Sequence, residues 1–228
     1  MRPEPCNLSS CFLCMHCIPE WKQAIAVNKK TLFFKKGEAI FREGDKVNGI
    51  YFLYSGAVKV HKQWDDQKEL IIRFTKAGDI LGHRGLGASD LYPVSATTLE
   101  ESKACFISNS FLEVILRTNH SLTYTLMQFY SAELQKAEMR MRNLALMEVK
   151  GRVAETLLEL LAVFSTNKDK YIAVAVTRQD IAAYAGTTYE TVFKLLKTLT
   201  IAKTISVSGK SIRINDEKKL RKIVKTAK

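Results

Sequence analysis

From Ser121 to Met147 the chain runs without a glycine or a proline, and Met127, Tyr130, Leu134, Ala137, Met141 and Leu144 recur at alternating steps of three and four. That spacing is a heptad seam and predicts one long helix carrying a continuous apolar stripe. Such a stripe is costly to leave in water, so it packs either on its own domain or on a second copy of itself. The helix connects two halves of different texture, which favours the second copy. With 228 residues, the chain is long enough for two modest domains that each bury a core.

Before the helix, short β-branched and aromatic runs alternate with glycine turns. The runs are Thr31–Phe34, Ala39–Phe41, Gly49–Tyr54, Ala57–His61 and Leu70–Phe74, and Gly37, Gly44, Gly56 and Gly78 mark the turns. Short strands so spaced predict a sandwich or barrel-like β domain reaching to about Ile107.

After the helix, Val149–Phe164 reads as a second helix, and Tyr171–Val176 as a short strand. Thr177 with Asp180, and Thr187 with Glu190, have capping-box spacing and open two further helices around Gly186. Two short helices joined at a glycine make a helix-turn-helix. Ala182 stands at the crossing, and Val192, Leu195, Leu196 and Leu199 form the face that grips the first helix. On the opposite side lie Glu190, Lys194 and Lys197, flanked by Thr187 and Thr198, as a face for the major groove. Glu accepts from cytosine N4, Lys donates to guanine, Thr and Lys hold phosphates, and Phe193 at the border meets a thymine methyl or simply packs. The bland alternatives are that Glu190 only closes a cap and that the lysines only meet solvent. Thr204–Val207 and Ser211–Ile214 around Gly209 read as a wing, with Lys210 and Arg213 facing the backbone.

Charge agrees with that reading. Lys and Arg number 35 against 23 Asp and Glu, a net +12, and the terminal run Lys218, Lys219, Arg221, Lys222, Lys225 and Lys228 adds to the field. No run of about 18 apolar residues occurs, so a membrane span is excluded, and the start of the chain lacks signal-peptide character. A cytoplasmic location is expected, where Cys6, Cys11, Cys14, Cys17 and Cys105 stay reduced. Metal binding or redox chemistry is then the question for them. Zinc bound by four leader cysteines, or by three with His16, is one answer, and an inert leader is another. The four histidines are scattered and no hydrolase, phosphate-loop or zincin motif is present, so no catalytic residue is assigned and an enzyme is not expected.

A β domain, a long helix and a winged helix-turn-helix in this order resemble the Crp/Fnr family of bacterial transcription regulators. The resemblance is carried by Lys36-Gly37-Glu38, Phe41-x-x-Gly44-Asp45, Tyr51-x-x-x-Ser55-Gly56-x-Val58-Lys59, Ala77-Gly78-Asp79-x-x-Gly82, Ser95-Ala96 and Glu190-Thr191-Val192-x-Lys194-Leu195-Leu196. It implies an α+β fold: a cysteine-rich leader (1–30), a jelly-roll, cyclic-nucleotide-binding-like sensor domain (31–118), a dimerisation helix (119–147) and a winged helix-turn-helix domain (148–228). It further implies a homodimer, a palindromic duplex DNA site contacted through Thr177, Thr187, Glu190, Phe193, Lys194, Lys197 and Lys210, and RNA polymerase as partner.

Cyclic-nucleotide members carry a ribose-binding Glu and a phosphate-binding Arg where this chain has His83 and Val94, so cyclic AMP is disfavoured, with nearby Arg84 the sole substitute. The fumarate-and-nitrate-reduction branch carries a cysteine-rich leader and one late cysteine that hold a four-iron (4Fe-4S) cluster. Cys6-x4-Cys11-x2-Cys14-x2-Cys17 and Cys105 match that plan, with a narrower second gap that leaves open which four ligate. Lys194 in place of that branch's arginine implies a looser or different base preference. A constitutive DNA binder with a silent sensor domain stays open beside the redox reading.

Overall fold

Residues 11–65, 68–87, 89–165 and 170–227 are described by the structure, a computed structural model whose elements fall into two units. One holds the described residues of 1–62 and 75–135, the other those of 63–74 and 136–228.

The first unit begins with two helices, α1 (Phe12–His16) and α2 (Trp21–Asn28). Strands β1 (Lys30–Phe34), β2 (Ala39–Phe41), β3 (Gly49–Ser55), β4 (Ala57–Gln63), β5 (Glu69–Lys76), β6 (Ile80–Leu81), β7 (Ser95–Thr98) and β8 (Ser102–Ser108) then form two sheets, of order β1-β8-β3-β6 and β2-β7-β4-β5, with Gln63 and residues 69–74 of β5 counted in the second unit. The registered pairs of the first unit run antiparallel, and β8 is flanked by both neighbours at Cys105, opposite Thr31 on β1 and Phe52 on β3. β-branched and aromatic side chains favour such a pleated surface, and Ile50, Phe52, Ile80 and Ile107 close its core. Between β3 and β4 the chain reverses at Gly56, whose φ of +95° lies in the left-handed region and whose missing Cβ leaves room for Ser102 and the Glu101 carbonyl.

Helix α3 (Asn109–Thr118) leads at Asn119 into α4, which runs from His120 to Leu146, 27 residues. Leu122, Leu126 and Glu133 of α4 are buried, whereas Tyr124, Met127, Leu134 and Met141 are each more than half exposed. Two residues of the predicted seam depart from the exposed stripe. Tyr130 is half-buried because its hydroxyl donates to the His83 carbonyl within the first unit, and Leu144 is half-buried because Gly186 closes on it within the second.

The second unit contains α5 (Val149–Phe164), α6 (Arg178–Ala185), α7 (Tyr189–Ile201), the hairpin β9 (Ile205–Ser208) and β10 (Ser211–Ile214), and α8 (Glu217–Thr226). Val153, Leu157, Leu160, Ile181, Val192, Leu196, Leu199 and Leu220 form its core. Two arginines knit it. Arg152 donates to the carbonyls of Leu144, Met147, Ala185 and Gly186, satisfying the free C-terminal groups of α4 and α6 together. Arg140 donates to the carbonyls of Ile71, Ile72 and Tyr184 and lies 3.8 Å from the Tyr184 ring centroid. Burial pushes its pKa below the ordinary arginine value.

The segment Tyr171–Val176 is not a strand: Tyr171 bridges to Arg213 and Ile172 to Ser165, and two partners at successive residues cannot extend into one ladder. The cationic tail, read only as a source of field, is largely α8, anchored by Leu220 and capped at Asp216, which accepts from the Lys219 amide.

Candidate functional site

The helix-turn-helix is assembled by caps and one glycine. Thr177 accepts from the Asp180 amide and Asp180 accepts from the Thr177 amide, both at 3.0 Å, so α6 opens on a complete capping box. The Thr177 hydroxyl also donates to Asp180, so it serves the cap from both sides. Gly186 turns the chain with φ +62°, and a Cβ there would stand 2.7 Å from Leu144. The second cap lies one residue later than the spacing suggests. Thr188, not Thr187, accepts from the Thr191 amide, and Glu190 falls in the first turn instead of closing a box with Thr187. The Glu190 carboxylate is fully exposed and sits below its ordinary pKa, because its own amide and the Thr188 hydroxyl donate to it, with Lys194 adding charge attraction.

On α7 the inner face holds Val192, Leu196 and Leu199, with Leu195 half-buried, while Glu190, Phe193, Lys194, Lys197 and Thr198 are exposed. Lys210 is exposed at the hairpin turn, and Thr187 is half-buried. Arg213 lies 5.5 Å from the Tyr171 ring centroid and so also braces the hairpin. Two residues join this surface that the stripe alone did not reveal. Tyr189 stacks on Phe193, with centroids 6.4 Å apart and planes 19° apart, and Arg178 stands 5.6 Å from the Phe193 centroid. The four-residue spacing of Tyr189 and Phe193 was the available signal. Between α6, α7 and the hairpin lies a cavity of about 200 Å³ lined by Thr177, Arg178, Gln179, Tyr189 and Lys210 among others. A surface carrying Arg, Lys, Thr and aromatic groups around one exposed carboxylate can hold phosphates and meet base edges.

In the first unit α1 carries Cys11 at its N-cap, Cys14 within it and Cys17 at its C-cap. At 100° per residue these three fall within about 120° of one another, one helix face. Together with Cys105 on β8 they belong to a single hydrophobic cluster and are between 3% and 7% exposed. None of the four is in a disulfide. Burial pushes the Cys17 thiol pKa up, against the Asn119 amide that donates to its sulfur at 2.9 Å. Cys6 lies outside the described residues. Among those described, no three His, Cys, Asp or Glu side chains are grouped to hold one metal ion. His83, at the ribose-binding position, is 5% exposed against Phe129 and Tyr130, and Val94 is buried. Arg84 pairs with Glu133 at 3.7 Å.

These features define a DNA-binding regulator with a β domain ahead of its winged helix-turn-helix. A cyclic nucleotide-binding domain matches residues 31–119 and a Crp-like helix-turn-helix domain residues 151–223. The chain is 30% identical over 198 residues to an anaerobic regulatory protein of Bacillus subtilis, covering 85% of this chain and 82% of that one. It is 27% identical to the fumarate and nitrate reduction regulatory protein of Vibrio cholerae, over 97% and 92% of the two chains. It is equally 27% identical to a CRP-like cAMP-activated global transcriptional regulator of Mycobacterium tuberculosis, over 82% and 84%. FixK2 from Bradyrhizobium japonicum superposes with a TM-score of 0.76 at 25% identity, over 86% of this chain and 96% of that one. The chain belongs to the Crp/Fnr family of transcription regulators, and its relatives are regulators rather than enzymes. No helix among the described residues is long and apolar enough to cross a membrane.

Proposed function

We propose that the protein binds a palindromic duplex operator as a homodimer and that its cysteines hold an iron–sulfur cluster through which it responds to oxygen or nitric oxide. The observation that carries the sensing part is the burial of Cys11, Cys14, Cys17 and Cys105 in one core cluster. Soft thiolates suit iron–sulfur clusters, and a cubane takes its ligands on separate irons, so they stand further apart than the four around a single zinc ion. Four thiols gathered in one core are a donor set of the kind an iron–sulfur cluster takes. Cys11, Cys14, Cys17 and Cys105 are the residues that hold it, with Cys6 the spare. Bound there, a cluster would supply an oxygen-labile centre.

Cyclic AMP is the poorer ligand. Val94 offers no phosphate partner, and Arg84, the possible substitute, is engaged by Glu133. The dimer reading is supported by Met127, Leu134, Ala137 and Met141, which stay exposed along α4 and carry no charge to oppose pairing. In such a pair the two α7 helices stand one DNA turn apart, about 34 Å, with Glu190, Phe193, Lys194 and Lys197 in the major groove and Lys210 at the backbone. RNA polymerase is the partner expected at the promoter, in the cytoplasm.

Anaerobic purification, visible absorption, iron and zinc analysis, and operator binding before and after air test the sensing part. Iron-dependent colour with air-sensitive binding is expected. A colourless, metal-free protein whose binding ignores air overturns it, and zinc without iron replaces the cluster by the simpler site.

A further inference from the structure

The side chain of Asn119 is 1% exposed and is used at both ends. Its amide nitrogen donates to the Cys17 sulfur at 2.9 Å, and its carbonyl oxygen accepts from the Leu122 amide at 3.1 Å. The second bond is the N-cap of α4, since Leu122 is the third residue of that helix. The backbone of Asn119 meanwhile ends α3, its N–H donating to Ile115. One planar amide therefore spans from the cysteine-bearing leader to the first turn of the helix that carries the seam. Few side chains can do this. Ser, Thr and Asp offer the cap acceptor, but Asp lacks the donor and the hydroxyls are too short to reach the sulfur.

We infer that Asn119 is a positioning residue that couples the Cys17 sulfur to the start of α4, so that the ligation state of that sulfur sets how firmly the helix begins. A neutral thiol is a weak acceptor, whereas a thiolate held by a metal is a strong one. Ligation of Cys17, its proton leaving to solvent, tightens the amide on the sulfur and thereby fixes the oxygen end on Leu122. Loss of the ligand leaves the thiol as the weaker acceptor, and the hold at Leu122 slackens with it. The coupling stands on the two hydrogen bonds; only its trigger rests on the cluster reading above.

The test is a double-substitution cycle in the full-length chain, reading hydrogen exchange at the Leu122 and Thr123 amides. Cys17→Ala alone should raise exchange at Leu122 by up to roughly fivefold, the size of one whole helix cap. In the Asn119→Ser background, where the cap oxygen remains but no longer reaches residue 17, Cys17→Ala should change nothing further. Asn119→Asp, which also keeps the acceptor without the donor, provides the same comparison if the serine variant folds poorly. Equal effects of Cys17→Ala in both backgrounds overturn the coupling. Anaerobic incubation with ferrous iron and sulfide supplies the trigger arm. Loading should slow Leu122 exchange in the unsubstituted protein and leave Asn119→Ser unchanged. Iron uptake with no change at Leu122 overturns the inference, whereas failure to take up iron overturns the cluster reading and leaves the cycle to decide the coupling.

Discussion

Cys11, Cys14, Cys17 and Cys105 sit in the core of one unit, none more than 7% exposed, whereas Glu190, Lys194 and Lys197 stand in solvent on α7 of the other. The two regions must therefore act by different physics. A group in a close-packed core acts on what touches it, since small displacements there are felt by every neighbour. A charge in water acts through its field, which salt screens over about 8 to 10 Å at ordinary ionic strength. The cations divide in the same way. Arg140 and Arg152 are absorbed into carbonyl contacts within their unit, while the lysines of α7 and the hairpin turn remain available to a phosphate backbone. The net charge of +12 overstates what DNA meets.

Substitutions can break that contrast. The largest effect is expected at Cys14: replacing it by Ser should abolish iron loading and make operator binding identical before and after air, and binding that stayed air-sensitive would remove the thiols from the mechanism. Arg152→Met should follow, losing its carbonyl contacts at about 3 kcal/mol of stability, read from denaturant unfolding. A shift below half of that would mean the fork contributes little. Glu190→Ala should cost roughly tenfold in discrimination at one base pair, measured on operator variants. If every duplex weakened alike, the carboxylate serves only the local turn. Lys197→Ala should weaken all sequences equally and flatten the salt dependence by about one unit of slope, the mark of one lost phosphate contact. The smallest expected change is at the cap, where Thr188→Ala should cost about 1 kcal/mol and Thr187→Ala much less, compared by thermal unfolding.

Much of the second unit was legible because its function lies on a surface. Gly186, the capping residues and the three-four spacing of α7 are local signals, and each is read within a few residues. The cap slipped by one because Thr187 and Thr188 are the same residue type, and only backbone geometry separates them. What stayed hidden was contact across long separations. Nothing near Arg152 in the sequence announces that it closes α4 and α6 together, and Arg140 reaches Ile71 and Tyr184 from a helix whose pattern speaks only of its apolar side. The cysteines show the same division: their spacing suggested ligands, but the helical face they share, and the link from Cys17 to Asn119 102 residues away, needed the fold. Tyr130 and Leu144 fit the heptad rhythm yet are partly spent on neighbours, since periodicity reports which face is apolar and not what covers it.

The exposed stripe of α4 is rich in methionine. Met127 and Met141 are 59% and 67% exposed, on either side of Leu134. Thioether side chains are unbranched and polarisable, with three rotatable bonds, and they refill a changing gap at low cost where branched residues would clash or leave voids. A second helix seated on such residues would be tolerated over a range of twists, because the thioethers could refill the gap at each setting along a helix about 40 Å long.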